Sequence, residues 1–272
     1  MNQFDRPSSE PALYYSEDFD RRSRPVLPEI GDEAVDALVQ DIEKTGFAVL
    51  PNYIESADIE HLRSFVESKV AANGDEYLGL TGKAAFEATM LDAIVESPKF
   101  LNLVHRLYEK GYGRPPPPQT LYQVLRCLKG QSGLKHSYFF HYDSYVVTAL
   151  LPIVIPETGS AGHLVMLPNS RNIRSSYGRN LFDKVMVDNK VTQKILRYFA
   201  RSRRFGFLQI PIVPGNLYLF WGYRSIHANE VCDPDKIRAT ALFHFADPHA
   251  ESSLRKITGR AKVRAVAKNA PV

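Results

Sequence analysis

The chain has only two cysteines, Cys127 and Cys232, far apart and outside any C-x-x-C pair. That excludes a disulfide-stapled scaffold and a zinc-finger framework, and it fits a reducing cytoplasm, the expected location. No apolar run approaches the roughly 18–20 residues that a bilayer span requires. Met1 to Glu10 lacks a basic stretch followed by an apolar core, so no secretory leader is expected. A surplus of one charge sign is missing too: 34 Lys and Arg face 30 Asp and Glu, a net +4 over 272 residues. So small a balance gives no reason to expect nucleic acid as a partner. Internal repeats are absent. The 44% hydrophobic and 24% charged content excludes a disordered chain or a coiled-coil rod.

What is present falls into two halves. Residues 1–30 read as a flexible acidic segment with Asp5, Glu10, Glu17, Asp18, Asp20 and Glu29. Residues 31–114 read as helical. Val35, Leu38 and Ile42 share one face of a helix over 32–45 that Gly46 stops. A short strand, Phe47–Leu50, follows. A second helix opens at Ser56 and carries Ile59, Leu62, Val66 and Val70. A third starts at Ser97-Pro98, a cap followed by proline at the first position, and buries Leu101, Val104 and Tyr108. Pro115–Pro118 is a stiff connector.

From 119 to 247 the pattern turns to strands: Leu121–Leu128, Tyr138–Tyr142, Tyr145–Ile155, His163–Leu167, Phe207–Val213, Leu217–Trp221 and Ile237–Phe245. One helical insert lies within 171–206. Helices followed by many short strands imply a mainly β domain over 31–250, a sandwich or barrel under a helical layer. Residues 251–272 form a basic tail with Arg255, Lys256, Arg260, Lys262, Arg264 and Lys268.

The chemistry concentrates at His141-Tyr142-Asp143. Residues two apart on a strand face one side, so both side chains reach one point. With a distant histidine they match the 2-His-1-carboxylate set of non-haem Fe(II). H-x-D alone is weak, and its companions strengthen it. His227 follows the strand Leu217–Trp221, and Arg238 follows His227 inside a core strand, where an unpaired Arg is costly. An arginine there can clamp a carboxylate through two parallel hydrogen bonds.

These residues resemble the iron triad and 2-oxoglutarate arginine of the phytanoyl-CoA dioxygenase family of Fe(II)/2-oxoglutarate oxygenases. Leu38–Pro51 resembles that family's N-terminal helix and strand, Gly162–Arg171 its apolar strand and turn, and Pro214–Phe220 the turn and strand before the distal histidine. The turn departs from the family at Asn169 and Arg171, where relatives carry Gly and His. The resemblance spans about residues 33–247 and implies a double-stranded β-helix (jelly roll, cupin-like) with Fe(II) on His141, Asp143 and His227. It also implies 2-oxoglutarate on Arg238, with Thr240, Asn229 and Gln123 as further cosubstrate contacts, and O₂ as the oxidant. Hydroxylation of a small molecule, with 2-oxoglutarate converted to succinate and CO₂, is the expected reaction. The intact Asp143 argues against the halogenase branch, which has Gly or Ala there.

Arg126, Lys135, Arg171, Arg197 and Arg201 are candidate substrate contacts, and the arginine-rich insert reads as a lid for an anionic substrate. His244 is read as pointing into the barrel without ligating, and His61, His105 and His249 as surface. Two rival readings remain open at this stage. One is a cupin-like hydrolase or isomerase with Zn²⁺ on the same triad, which has no need of a carboxylate clamp. The other is a non-catalytic binding protein on the same fold.

Overall fold

The computed structural model describes residues 24–257. The helical layer forms where the periodicity places it. α1 (Asp32–Thr45) buries Val35, Leu38 and Ile42. It ends at Gly46, whose φ of 95° and close approach to Pro168 leave no room for a Cβ. β1 (Ala48–Leu50) and α2 (Ser56–Ala72) follow. β2 (Leu78–Thr81) and α3 (Met90–Glu96) are too short to show a period, and neither is expected from the sequence. α4 (Pro98–Tyr112) begins at Ser97-Pro98 and runs to a left-handed Gly113. Leu27 is buried, and the Leu27 and Ile30 carbonyls accept from Lys99 and Arg106 of α4. The end of the supposed flexible segment is therefore anchored. Residues 1–23 and the basic tail from 258 lie outside the described residues.

The β region comprises β3 (Tyr122–Leu128), β4 (Val147–Val154), β5 (Leu164–Leu167), β6 (Leu208–Ile210), β7 (Leu217–Phe220), β8 (Ile226–Asn229) and β9 (Arg238–Phe245). α5 (Gly130–Leu134) follows β3, and α6 (Tyr177–Asp188) and α7 (Lys190–Arg201) precede β6. A six-stranded antiparallel sheet runs β1-β7-β4-β9-β3-β2, and a three-stranded sheet runs β6-β5-β8.

Residue parity decides which side chains face the helices. On β9, Ala239, Ala241, Phe243 and Phe245 join the core shared with α1 to α4. Phe243 meets Phe100 of α4 edge to face at 5.2 Å; burying such a ring contributes on the order of 3 kcal/mol. Arg238, Thr240, Leu242 and His244 point the other way. Leu242 packs there with Leu150, Phe220, Leu164 and Met166, residues of both sheets that close the barrel interior.

Three readings need correction. Tyr138–Tyr142 is not a strand: one bridge, His141 to His227, ties an otherwise irregular segment. The helical insert is a hairpin rather than one helix, because the Asn189 side chain accepts from Val191 N–H at 2.9 Å and restarts it. Val187, Leu196 and Ala200 of that hairpin pack with Val165 and Ala228 on the outward face of the small sheet. His227, next to Ala228 on β8, takes the opposite face. α7 is therefore a buttress behind the sheet, not a lid over the triad.

Candidate metal centre

His141 and Asp143 sit on the segment that leads into β4, and His227 sits on β8. The bridge holds them in register: His141 N–H donates to the His227 carbonyl and His227 N–H to the His141 carbonyl, both at 3.1 Å. One ligand atom from each of the three residues lies within 4.8 Å of the others, as a shared ion requires. His141 Nε2 is 3.7 Å from Asp143 Oδ1, and His227 Nε2 is 3.6 Å from Asp143 Oδ2. The far side of each ring is already committed. His141 Nδ1–H donates to the Phe139 carbonyl at 3.0 Å and His227 Nδ1–H to the Ser225 carbonyl at 3.1 Å. That leaves both Nε2 lone pairs aimed inward, the tautomer a metal needs.

Burial pushes the Asp143 carboxyl upward, but the charges of His227 and His244 outweigh it and hold the group well below the carboxylate range. Burial pushes His141 down to about 3, with His227 adding to the effect. For His227 burial acts downward, and the negative charge of Asp143 outweighs it and raises the pKa. An ionised carboxylate beside two imidazole Nε2 atoms is a donor set that a divalent cation satisfies.

Asp143 is itself held. Thr148 Oγ1 donates to Oδ2 at 2.5 Å and lies 3.1 Å from His244 Nδ1. Asp143 N–H donates to the Gly222 carbonyl at 3.0 Å. A Cβ on Gly222 would lie 2.2 Å from both Asp143 Oδ2 and Thr148 Oγ1. Gly222→Ala is therefore expected to displace the carboxylate, weaken divalent-metal affinity at least tenfold and cost about 1–3 kcal/mol. Metal titration alongside thermal melting checks it; wild-type affinity in the variant would contradict it.

Arg238 is 3% exposed, with Nε on the Gly162 carbonyl at 2.8 Å and Nη1 on Thr240 Oγ1 at 3.2 Å. Among the described residues no carboxylate lies within ion-pair distance of it. Burial, then the charge of Arg126, pushes its pKa down to about 9. Arg126 stands opposite Thr240 in the β3–β9 register, so it shares the inward face. Asn229 is buried on the His227 face of β8, and its Nδ2 is taken by the Glu230 carbonyl at 2.8 Å.

Gln123 differs from the expectation. It is opposite Phe243 in the register, which turns it toward the helices, where Nε2 reaches Asp92 of α3 at 3.4 Å. Arg171 also differs. Its guanidinium is buried between the rings of Tyr142 and Tyr223 and donates to the Tyr223 carbonyl, Asp183 and Asn180 at 2.8–2.9 Å. It staples the insert to the core and has little left for a substrate. Asn169 holds the turn in the left-handed region at φ 46°.

Arg197 donates to the Tyr138 carbonyl at 3.1 Å, and Arg201 lies over the Tyr138 ring, both on the buttress side. Arg204 falls beyond the end of α7. Lys135 is exposed after α5. His249 is buried and bonded to Tyr223 Oη at 3.0 Å, not a surface residue, and His105 packs on Phe245. His244 joins Thr148 behind Asp143 and does not belong to the ligand set.

Sequence reasoning missed Thr148, Gly222 and Lys184. A lone Thr in the apolar run Val146–Val154 was the available signal for the first. Lys184 of α6 gave none: it lies among apolar neighbours, yet its Nζ donates to Ser144 Oγ at 2.7 Å, beside Asp143. Burial pushes its pKa down to about 8.

No family model and no curated protein matches the sequence; solved structures match the fold. The carbocyclase SnoK from nogalamycin biosynthesis, described as non-heme and alpha-ketoglutarate dependent, superposes with a TM-score of 0.54 at 13% identity. That alignment covers 81% of this chain and 86% of the carbocyclase. The fold is a double-stranded β-helix. A prolyl hydroxylase from Trichoplax adhaerens, solved with a hypoxia inducible factor peptide fragment, gives 0.52 at 14% identity, over 82% of this chain and 93% of that one. A prolyl 4-hydroxylase from Phytophthora capsici gives 0.52 at 13%, over 84% and 70%.

Proposed function

We propose that this chain is an Fe(II)/2-oxoglutarate-dependent oxygenase, similar to the phytanoyl-CoA dioxygenases, that hydroxylates a C–H bond of a small anionic substrate. The observation that carries the reading is Arg238: a buried guanidinium without a carboxylate partner, on the inward face of the sheet that borders a three-ligand metal set. An orphaned buried cation is costly unless an anion arrives. A zinc hydrolase on the same triad gives it no task, and a binding protein has no need of three converging ligands.

The residues fit both groups. His141, Asp143 and His227 would hold the iron, and Arg238 with Thr240 would pair with the distal carboxylate of 2-oxoglutarate. Bound there, iron and cosubstrate supply O₂ activation coupled to release of CO₂ and succinate. The chain's own part is orientation. Thr148, backed by His244, fixes Asp143 Oδ2, the two backbone carbonyls fix the histidine rings, and Leu150, Leu242 and Phe220 keep water from the interior. Arg126 adds positive potential beside Thr240.

Lys184 supports the anionic substrate in place of Arg197 and Arg201. It is a half-buried cation bonded to Ser144, which adjoins Asp143, with no carboxylate within ion-pair distance among the described residues. Lys184→Gln is expected to raise KM for an acidic substrate about tenfold while kcat changes little. Succinate release over a panel of acids and their methyl esters tests both points. A preference for the esters, or an unaltered KM in the variant, contradicts the anionic reading. Failure of every compound to stimulate succinate release above the iron-free control contradicts the oxygenase.

A further inference from the structure

The α6–α7 hairpin packs one face on the small sheet and leaves the other bare. Along α6, Phe182, Val185 and Met186 are 65%, 59% and 50% exposed at i, i+3 and i+4. Along α7, Val191, Ile195 and Tyr198 are 64%, 48% and 62% exposed at i, i+4 and i+7. A helix buttressing a soluble domain ordinarily turns polar residues outward. Here the buried stripe is Val187, Leu196 and Ala200, and a second apolar stripe faces solvent on each helix. Such a patch marks an interaction site.

The surrounding charges are of one sign. Lys190, Lys194, Arg197 and Arg201 run along α7 beside the exposed stripe, and Arg203 and Arg204 follow it, all exposed. The hairpin carries two acids, Asp183 and Asp188, and Asp183 is held by Arg171 and Arg174. A groove of about 470 Å³ opens among Lys194, Arg197, Tyr198, Arg201 and Ser202, a place for a phosphate next to apolar side chains.

We propose that the α6–α7 hairpin docks this protein on an anionic lipid surface, its apolar stripe at the headgroup boundary and its bases on lipid phosphates. Charge selects this occupant. A second copy set stripe to stripe would bring two rows of bases together without a counter-charge, whereas anionic headgroups supply one. No helix among the described residues is long and apolar enough to cross a membrane, so the contact is lateral. The inference does not depend on the metal chemistry.

The test is co-sedimentation of the full chain with vesicles of phosphatidylcholine alone and of equal parts phosphatidylcholine and phosphatidylglycerol. Binding is expected on the mixed vesicles only, and it should weaken with salt. The double variant Lys194→Gln/Arg197→Gln should lose roughly 25-fold in partitioning, at about fivefold per base. Ile195→Ser/Val185→Ser should lose a similar amount while leaving the charge intact. Both pairs are exposed, and the one hydrogen bond lost is that from Arg197 to the Tyr138 carbonyl, so melting curves should stay within about 4 °C of wild type. Equal binding to neutral vesicles, or unaltered partitioning in either variant, overturns the proposal. So does a dimer in sedimentation velocity that Ile195→Ser/Val185→Ser dissociates, because the stripe then belongs to a second copy.

Discussion

Arg238→Gln is expected to lower 2-oxoglutarate affinity by about 30- to 1,000-fold and to leave metal binding intact. The loss of a bidentate, charge-assisted pair in a desolvated site is worth on the order of 2–4 kcal/mol. The guanidinium is 3% exposed and bonds the Gly162 carbonyl and Thr240 Oγ1, which leaves its remaining N–H donors for a carboxylate. The ligand-free protein should melt within about 4 °C of wild type. Two hydrogen bonds are lost, but a buried cation with no counter-ion goes with them, and the two effects oppose each other. Calorimetric titration of 2-oxoglutarate into the metal-loaded variant, with a melting curve beside it, reads both quantities. A large drop in melting temperature with unchanged 2-oxoglutarate affinity would make Arg238 a structural residue.

His141→Ala should abolish turnover and weaken divalent-metal affinity by at least about 100-fold, beyond what the loss of a supporting hydrogen bond costs. The fold should survive. His141 lies on an irregular segment, its side chain is 28% exposed, and the bridge to His227 uses backbone atoms that alanine retains. His227→Ala removes an equivalent ligand from a site 4% exposed and adjoining the Phe220 ring, so it should cost more stability for the same loss of metal. Equal metal affinity in wild type and His141→Ala would remove His141 from the centre.

Much of this site was legible because local rules and chemistry coincide. Gly46 ends α1 for a conformational reason, and Arg238 stands out because it interrupts a core strand. His141-x-Asp143 is readable as a pair even though the segment is not the strand expected there; the geometry comes from one bridge to β8. β8 itself was invisible: four residues, Ile226–Asn229, follow a turn directly and find their partner in distant β5. Facing was lost for the same reason. Gln123 and Arg126 belong to one strand and differ in parity, and only the β3–β9 register shows which of them shares the face of Arg238. Arg197 and Arg201 rest on charge and Arg171 on its place in the turn, and neither signal reports whether a guanidinium is stacked, bonded or free. Lys184 was missed because nothing in sequence places α6 beside Ser144.

The central claim is that the triad and Arg238 form one site for Fe(II) and 2-oxoglutarate. The most direct measurement is the visible spectrum under anaerobic conditions as 2-oxoglutarate is added to the Fe(II)-loaded chain. A weak charge-transfer band that saturates in wild type, is absent in Asp143→Asn and needs far more 2-oxoglutarate in Arg238→Gln is the predicted result. A wild-type protein that binds Fe(II) yet develops no band at any 2-oxoglutarate concentration would contradict it.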